Sequence, residues 1–231
     1  MFIGHYALAF AAKRAAPRTS LGTLFVAPTF ADLVFPVFLL LGWEHAHVVP
    51  GPNPFLTLWL DDYPYSHSLV ALLVWGALFG YAYKAKTGDK RAALVIGLLV
   101  VSHWVLDFVT HRPDIQLYPG GAKLGLELWS SPAATIIVES VMLIAGVAIY
   151  ARVTRARDGI GRWGPWGLVV LLAGSYYSTL FTPAPTDMRA MAIFGIIFEW
   201  LFVLLAWWVD RHRESITSHV GISTSNHPTL R

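Results

Sequence analysis

Six apolar runs dominate this chain, each about 20 residues long and so able to cross the ~30 Å hydrocarbon core of a bilayer as a helix. They fall near 21–41, 65–83, 92–111, 132–151, 165–182 and 190–209. Only helices and closed barrels satisfy every backbone N–H and C=O away from water, and runs of this length select the helix. The expected fold is therefore all-α: an integral membrane helical bundle of about six transmembrane helices, with residues 1–210 as one embedded domain. Only 13% of the residues are charged, against roughly 25% in soluble domains. That is too little polar surface to cover so much apolar chain.

The first eleven residues, MFIGHYALAFA, are apolar but too short to cross. They lead into the basic cluster Lys13, Arg14 and Arg18, which suits either a half-helix dipping into the bilayer or an amphipathic helix lying on its surface. Because the basic residues follow the apolar stretch and no small-residue cleavage site is apparent, a cleavable signal peptide is not expected. Cationic residues recur on alternate connections: Lys84, Lys86, Lys90 and Arg91, then Arg152, Arg155, Arg157 and Arg162, then Arg211, Arg213 and Arg231. The other loops, 42–64, 112–131 and 183–189, hold only Arg112, Lys123 and Arg189. By the positive-inside rule both termini are expected in the cytoplasm of a multi-pass protein. The polar segment 211–231 reads as a disordered cytoplasmic tail. The net charge of +3 is distributed as these topology signals rather than along one face, so nucleic acid is not an expected partner.

Ionisable groups inside apolar spans are costly and mark functional sites by default. Asp32 lies mid-span in TLFVAPTFADLVFPVF, His67 opens the second run in YPYSHSLV, and the third carries His103, Asp107 and His111 in SHWVLDFVTHRPD. A rise of about 1.5 Å per residue puts all five at depths where they can converge. His103 and Asp107, spaced i and i+4, stack on one helix face about 6 Å apart, close enough to share a divalent cation or to pair with each other. His5 joins them only if the N-terminal half-helix enters the bilayer, which lifts it some 12 Å above Lys13. A metal site, a structural polar cluster and a proton or ion pathway are the three readings of this set. With no cysteine in the chain, any metal must be held by His, Asp or Glu.

Glu139, part-way down the fourth run, reads as a ligand, a general base or a support for one, and Glu199 as an interhelical hydrogen bond. Ser66, Ser68, Ser102 and His111 are expected to steady the ligands by hydrogen bonding, with an N-cap as the other reading for Ser66. His45 and His47 read as solvated loop histidines, and Asp61 and Asp62 as a cation lure or helix caps. No GxSxG elbow, phosphate-cradling glycine loop, HExxH or dinucleotide fingerprint occurs, which disfavours serine-hydrolase, nucleotide-driven and zincin chemistry.

In order, GH at 4–5, Asp32, SHS at 66–68 and SHWVLDFVTH at 102–111 resemble the bacterial inner-membrane metal-dependent hydrolase family often called YdjM-like. The resemblance covers roughly residues 1–115. In motif order that family is similar to zinc-dependent phospholipase C and P1-type nucleases. It implies His5, Asp32, His67, His103 and Asp107 as metal ligands and a bacterial inner (plasma) membrane location. The second HxxxE or HxxxD helix of those enzymes is missing downstream, so one or two ions, Zn²⁺ or Mn²⁺, are expected. The function so implied is metal-dependent hydrolysis of an ester or phosphoester; the depth of the site makes membrane lipids the expected partners and substrate class, and Asp107 or Glu139 is expected to take the proton. A proton- or cation-coupled transporter and a non-enzymatic membrane scaffold are the alternatives, and the oligomeric state is open.

Overall fold

The computed structural model describes residues 1–49, 51–182 and 187–216. Eight helices carry the fold: α1 (Ile3–Ala12), α2 (Leu21–Leu41), α3 (Pro64–His67), α4 (Leu69–Thr87), α5 (Lys90–Thr110), α6 (Pro132–Val153), α7 (Gly159–Ser178) and α8 (Met188–Arg211). Three antiparallel two-stranded ribbons complete it: β1 (His45–Val48) with β2 (Leu58–Asp62), β3 (Ile115–Gln116) with β4 (Lys123–Leu124), and β5 (Thr154–Ala156) with β6 (Arg213–Ser215). The six long helices have 19 to 24 residues, and four of them, α2, α5, α6 and α8, are long and apolar enough to cross a membrane. Outward side chains such as Leu94, Leu98, Ile144 and Val170 are more than half exposed, so the bundle turns an apolar surface outward. This is an all-α membrane protein.

Side-chain caps fix most helix starts. Ser20 accepts from Thr23 N at 3.2 Å, Asp89 from Ala92 N at 2.9 Å and Asp158 from Gly161 N at 2.8 Å. Asp158 starts α7 at Gly159, six residues before the start expected at Pro165, which sits inside the helix. The second run is interrupted rather than continuous from 65. Ser68 adopts extended backbone (φ −69°, ψ 147°), caps α4 by accepting from Ala71 N at 3.2 Å, and donates to Pro64 O at 2.6 Å. The break detaches α3 as a separate turn.

The short N-terminal helix does not lie on a surface. Ile3 to Ala7, Ala9 and Phe10 are all buried, with α6, α2 and α5 packed around them. Phe10 meets Phe25 and Tyr150 edge-on, with ring centroids 5.1 and 5.4 Å apart. Gly146 permits the closest approach of α6 to α1, since a Cβ there would stand 2.2 Å from the Ala7 carbonyl oxygen.

At the end of the bundle where the basic clusters gather, Lys13 is buried, unlike a solvated topology charge. Its Nζ donates to Asp210 Oδ2 at 2.7 Å and to Thr19 O at 2.8 Å. Asp210 also accepts from Leu21 N at 3.0 Å and Tyr150 Oη at 3.0 Å, which ties α1, α2, α6 and α8 at one point. The expectation of a disordered tail from residue 211 fails over its first residues. Arg213–Ser215 pairs with Thr154–Ala156, Glu214 faces Arg155 across the ribbon, and Ser215 Oγ donates to Pro17 O at 2.6 Å. Opposite charges across the strands supply what composition alone does not reveal. The expectations for 217–231 and for most of the loop 183–189 lie outside the described residues.

Gly146→Val is expected to lower stability by roughly 1–3 kcal/mol, because the added atoms have to displace the α1 backbone. The thermal midpoint in detergent measures it, and an unchanged midpoint would show that α1 and α6 do not meet at this contact.

Candidate metal centre

Four elements converge toward the end of the bundle away from the basic clusters. α1 supplies His5, α2 Asp32, α3 His67, α5 His103 and Asp107, and the residue ending α5 is His111. Asp107 is the centre. Its Oδ1 lies 3.1 Å from His5 Nε2 and accepts from the α-amino group of Met1; its Oδ2 lies 3.0 Å from His103 Nε2, 3.6 Å from His111 Nε2 and 4.0 Å from His67 Nε2. Asp32 Oδ1 is 3.5 Å from His67 Nε2 and 3.9 Å from His103 Nε2. The rings of His5 and His103 stack 4.1 Å apart. All are buried except Asp32, whose side chain keeps 31% of its exposure.

Hydrogen bonding on the far side of each ring decides which nitrogen faces the cluster. His103 Nδ1 lies 2.7 Å from the Pro28 carbonyl oxygen, which can only accept, so Nδ1 carries the proton. His67 Nδ1 lies 2.6 Å from Ser66 Oγ, whose hydrogen goes to Glu44 Oε2 at 2.6 Å. Ser66 must therefore accept from His67 Nδ1. Both rings thus turn Nε2 toward carboxylates. His103 Nε2 has no hydrogen-bond partner although Asp107 Oδ2 is 3.0 Å away. An imidazole lone pair that close to a carboxylate oxygen repels it unless positive charge stands beside them. The charge that Asp107 meets in the structure is the Met1 ammonium.

Two sets of donor atoms, His5/His103/Asp107 and Asp32/His67/His103, each lie within 4.8 Å of one another. Imidazole and carboxylate donors of this kind suit Zn²⁺ or Mn²⁺ better than Mg²⁺ or Ca²⁺. The residues implied by the family resemblance, including His5, are thus brought together by the fold.

The supporting groups differ in part from those expected. Ser66 does hold His67, and His111 stands over Asp107 with its Nδ1 3.1 Å from Asp114 Oδ1. Ser68 is instead the cap of α4, and Ser102 Oγ donates to Leu99 O of its own helix at 2.6 Å. Glu199 accepts from Tyr6 Oη, the interhelical bond anticipated. Asp61 and Asp62 lie in β2 and cap no helix; Asp61 pairs with exposed His47 at 2.6 Å and Asp62 accepts from Gln116 at 3.1 Å. Glu139 Oε2 accepts from Phe2 N at 2.9 Å and Gly4 N at 3.1 Å, so its carboxylate holds the start of α1 where the helix dipole favours an anion. Its Oε1 is buried without a hydrogen-bond partner.

Three contributors escape a sequence reading. Glu44 is fully buried and accepts from Tyr65 N and Ser66 N at 2.8 Å each. Asp114 orients His111 and accepts from Tyr63 Oη at 3.0 Å. Burial and the neighbouring Asp114 hold the Tyr63 phenol well above its ordinary pKa, so it remains a donor. The signal available was an acidic residue in each of the motifs WEHAH and THRPD, where the histidines draw attention first.

A cavity of about 290 Å³ opens onto the cluster. Asp32, His67, Asp107, His111 and Glu139 form its polar wall, Phe35, Phe55, Trp129 and Tyr176 part of its apolar one, and Arg112 is the cationic side chain lining it. No family model, curated protein or solved structure matches the chain, so the functional reading rests on this geometry.

Glu44→Ala is expected to destabilise the protein by roughly 1–3 kcal/mol, because it strands the buried Ser66 amide and hydroxyl and the part-buried Tyr65 amide. Glu44→Gln, which keeps one acceptor oxygen, should lose less. Equal midpoints for the two variants in thermal unfolding would rule out this anchoring role.

Proposed function

We propose that this protein is a membrane-bound, metal-dependent hydrolase acting on a lipid ester or phosphoester. The observation that carries the reading is the pair of imidazoles, His67 and His103, whose far nitrogens are committed elsewhere and whose Nε2 atoms face Asp32 and Asp107. His5, Asp32, His67, His103 and Asp107 would hold one or two Zn²⁺ or Mn²⁺ ions, His103 being common to both donor sets. Such an ion acidifies water and polarises the ester oxygen.

The chain's own groups divide the remaining work. Both oxygens of Asp107 already face nitrogens, which leaves Glu139, with its unpartnered Oε1 on the cavity wall, as the proton acceptor. The oxygen of water bonds to phosphorus or to the acyl carbon, and the bond to the alcohol oxygen breaks. The proton taken by Glu139 passes to the departing oxygen. Arg112, on the same wall, is paired with Asp114 at 3.4 Å and donates to Leu58 O at 2.9 Å, so it is the bound metal that would draw an anionic group into the cavity. The ordered motifs shared with the YdjM-like family support the same reading. We further propose a bacterial inner membrane, on the family resemblance, and cytoplasmic termini, on the alternation of basic loops. The cavity then opens toward the outer half of the bilayer.

Elemental analysis of purified protein should find stoichiometric zinc or manganese, and His103→Ala should lower that content about tenfold or more. Wild-type protein without transition metal, or a variant with undiminished content, would overturn the proposal.

A further inference from the structure

A second opening runs beside the cavity. Between α7 and α8 the outside of the bundle carries a groove of about 630 Å³, walled by Val170, Leu171, Gly174, Phe198 and Phe202. Val170 and Phe198 are exposed, as befits a surface turned toward lipid. Phe2 and Thr179 line this groove, and the same two residues line the cavity over the Asp107 cluster. The groove and the cavity therefore adjoin at these two residues, the groove apolar and outward, the cavity carrying the polar cluster on one wall. Gly174 fronts open space in the groove: a Cβ there would meet nothing within 4 Å.

We propose that the groove between α7 and α8 holds an acyl chain of the substrate while the phosphate-bearing headgroup of the same lipid occupies the cavity over the Asp107 cluster. This rests on the hydrolase reading and narrows it to a lipid that enters sideways from the bilayer. A bilayer offers acyl chains at every point of its apolar core, and an amphipathic molecule spanning both compartments matches each with its own chemistry. Phe2, whose backbone is held by Glu139 and whose ring lies 6.1 Å from that of Tyr176, marks the boundary between them.

The test uses full-length protein in phosphatidylcholine nanodiscs doped with phosphatidate that carries a diazirine in one acyl chain. Photolabelling is expected within 170–178 and at Phe198 or Phe202, and Gly174→Trp should reduce it about tenfold by filling the groove. Gly167→Trp is the control. Position 167 lies two turns away on α7, has equal open space around it and does not line the groove, so labelling should be unchanged. Gly174→Trp should keep its metal and its turnover of p-nitrophenyl phosphate, a water-soluble ester that needs no acyl groove; Gly174→Leu serves if the larger residue disturbs folding. Equal labelling in all variants overturns the groove and leaves the metal reading standing. Equal labelling by a diacylglycerol probe bearing the same diazirine chain makes the groove an ordinary lipid contact and overturns it too. Absence of metal from the wild type overturns the hydrolase reading and the substrate role of the groove together.

Discussion

A carboxylate taken out of water demands positive charge or hydrogen-bond donors around it, and Asp107 is that carboxylate here. Nitrogen reaches it from three directions: Met1 and His5 from the N-terminal segment, His67 from α3, and His103 and His111 from its own helix and the residue that ends it. Meeting that demand requires two departures from a plain bundle of long helices. The N-terminal segment has to be drawn into the interior, and the second apolar run has to break at Ser68 so that His67 turns inward. Each departure has its own anchor, Glu139 for the first and Glu44 with Ser66 for the second.

Around this centre the rings are held from behind. His103 is fixed by the Pro28 carbonyl, His67 by Ser66 and Glu44, and His111 by Asp114 and, through it, Tyr63. Pro28 and Pro36 stand four residues to either side of Asp32 in α2. Pro36 has no N–H to return to the Asp32 carbonyl, so the helix is locally loosened where its acidic residue faces the cavity. Imidazoles with fixed tautomers and orientations are what metal sites need, and buried supports of this kind govern affinity as much as the ligands do.

The parts legible in the sequence were those encoded locally. Run length gave the long helices, and the i, i+4 spacing of His103 and Asp107 gave one face of the cluster. Mid-span polarity singled out Asp32 and Glu139. What stayed hidden depends on pairing across long stretches of chain. Glu44 serves Ser66 from 22 residues away and Glu139 serves Phe2 from 137, separations no periodicity reports. Lys13 looked like any loop cation because its partner Asp210 comes 197 residues later. The start of α7 was displaced because a side-chain cap at Asp158 outweighed the preference of Pro165 for a first turn. His5 was readable as a histidine on a short apolar segment; only its packing between α2, α5 and α6 decides that it reaches the cluster.

The buried position of α1 also sets an order of events. It leaves the ribosome before α5 and α6, which help to enclose it and are not complete until Thr110 and Val153 have been made. Until then its apolar face has only α2 to rest against, and His5 and Asp107 stand on segments that have not yet met. The cluster is therefore a product of late assembly: His5 precedes its enclosure by about a hundred residues, and the centre is complete only when that enclosure closes around it.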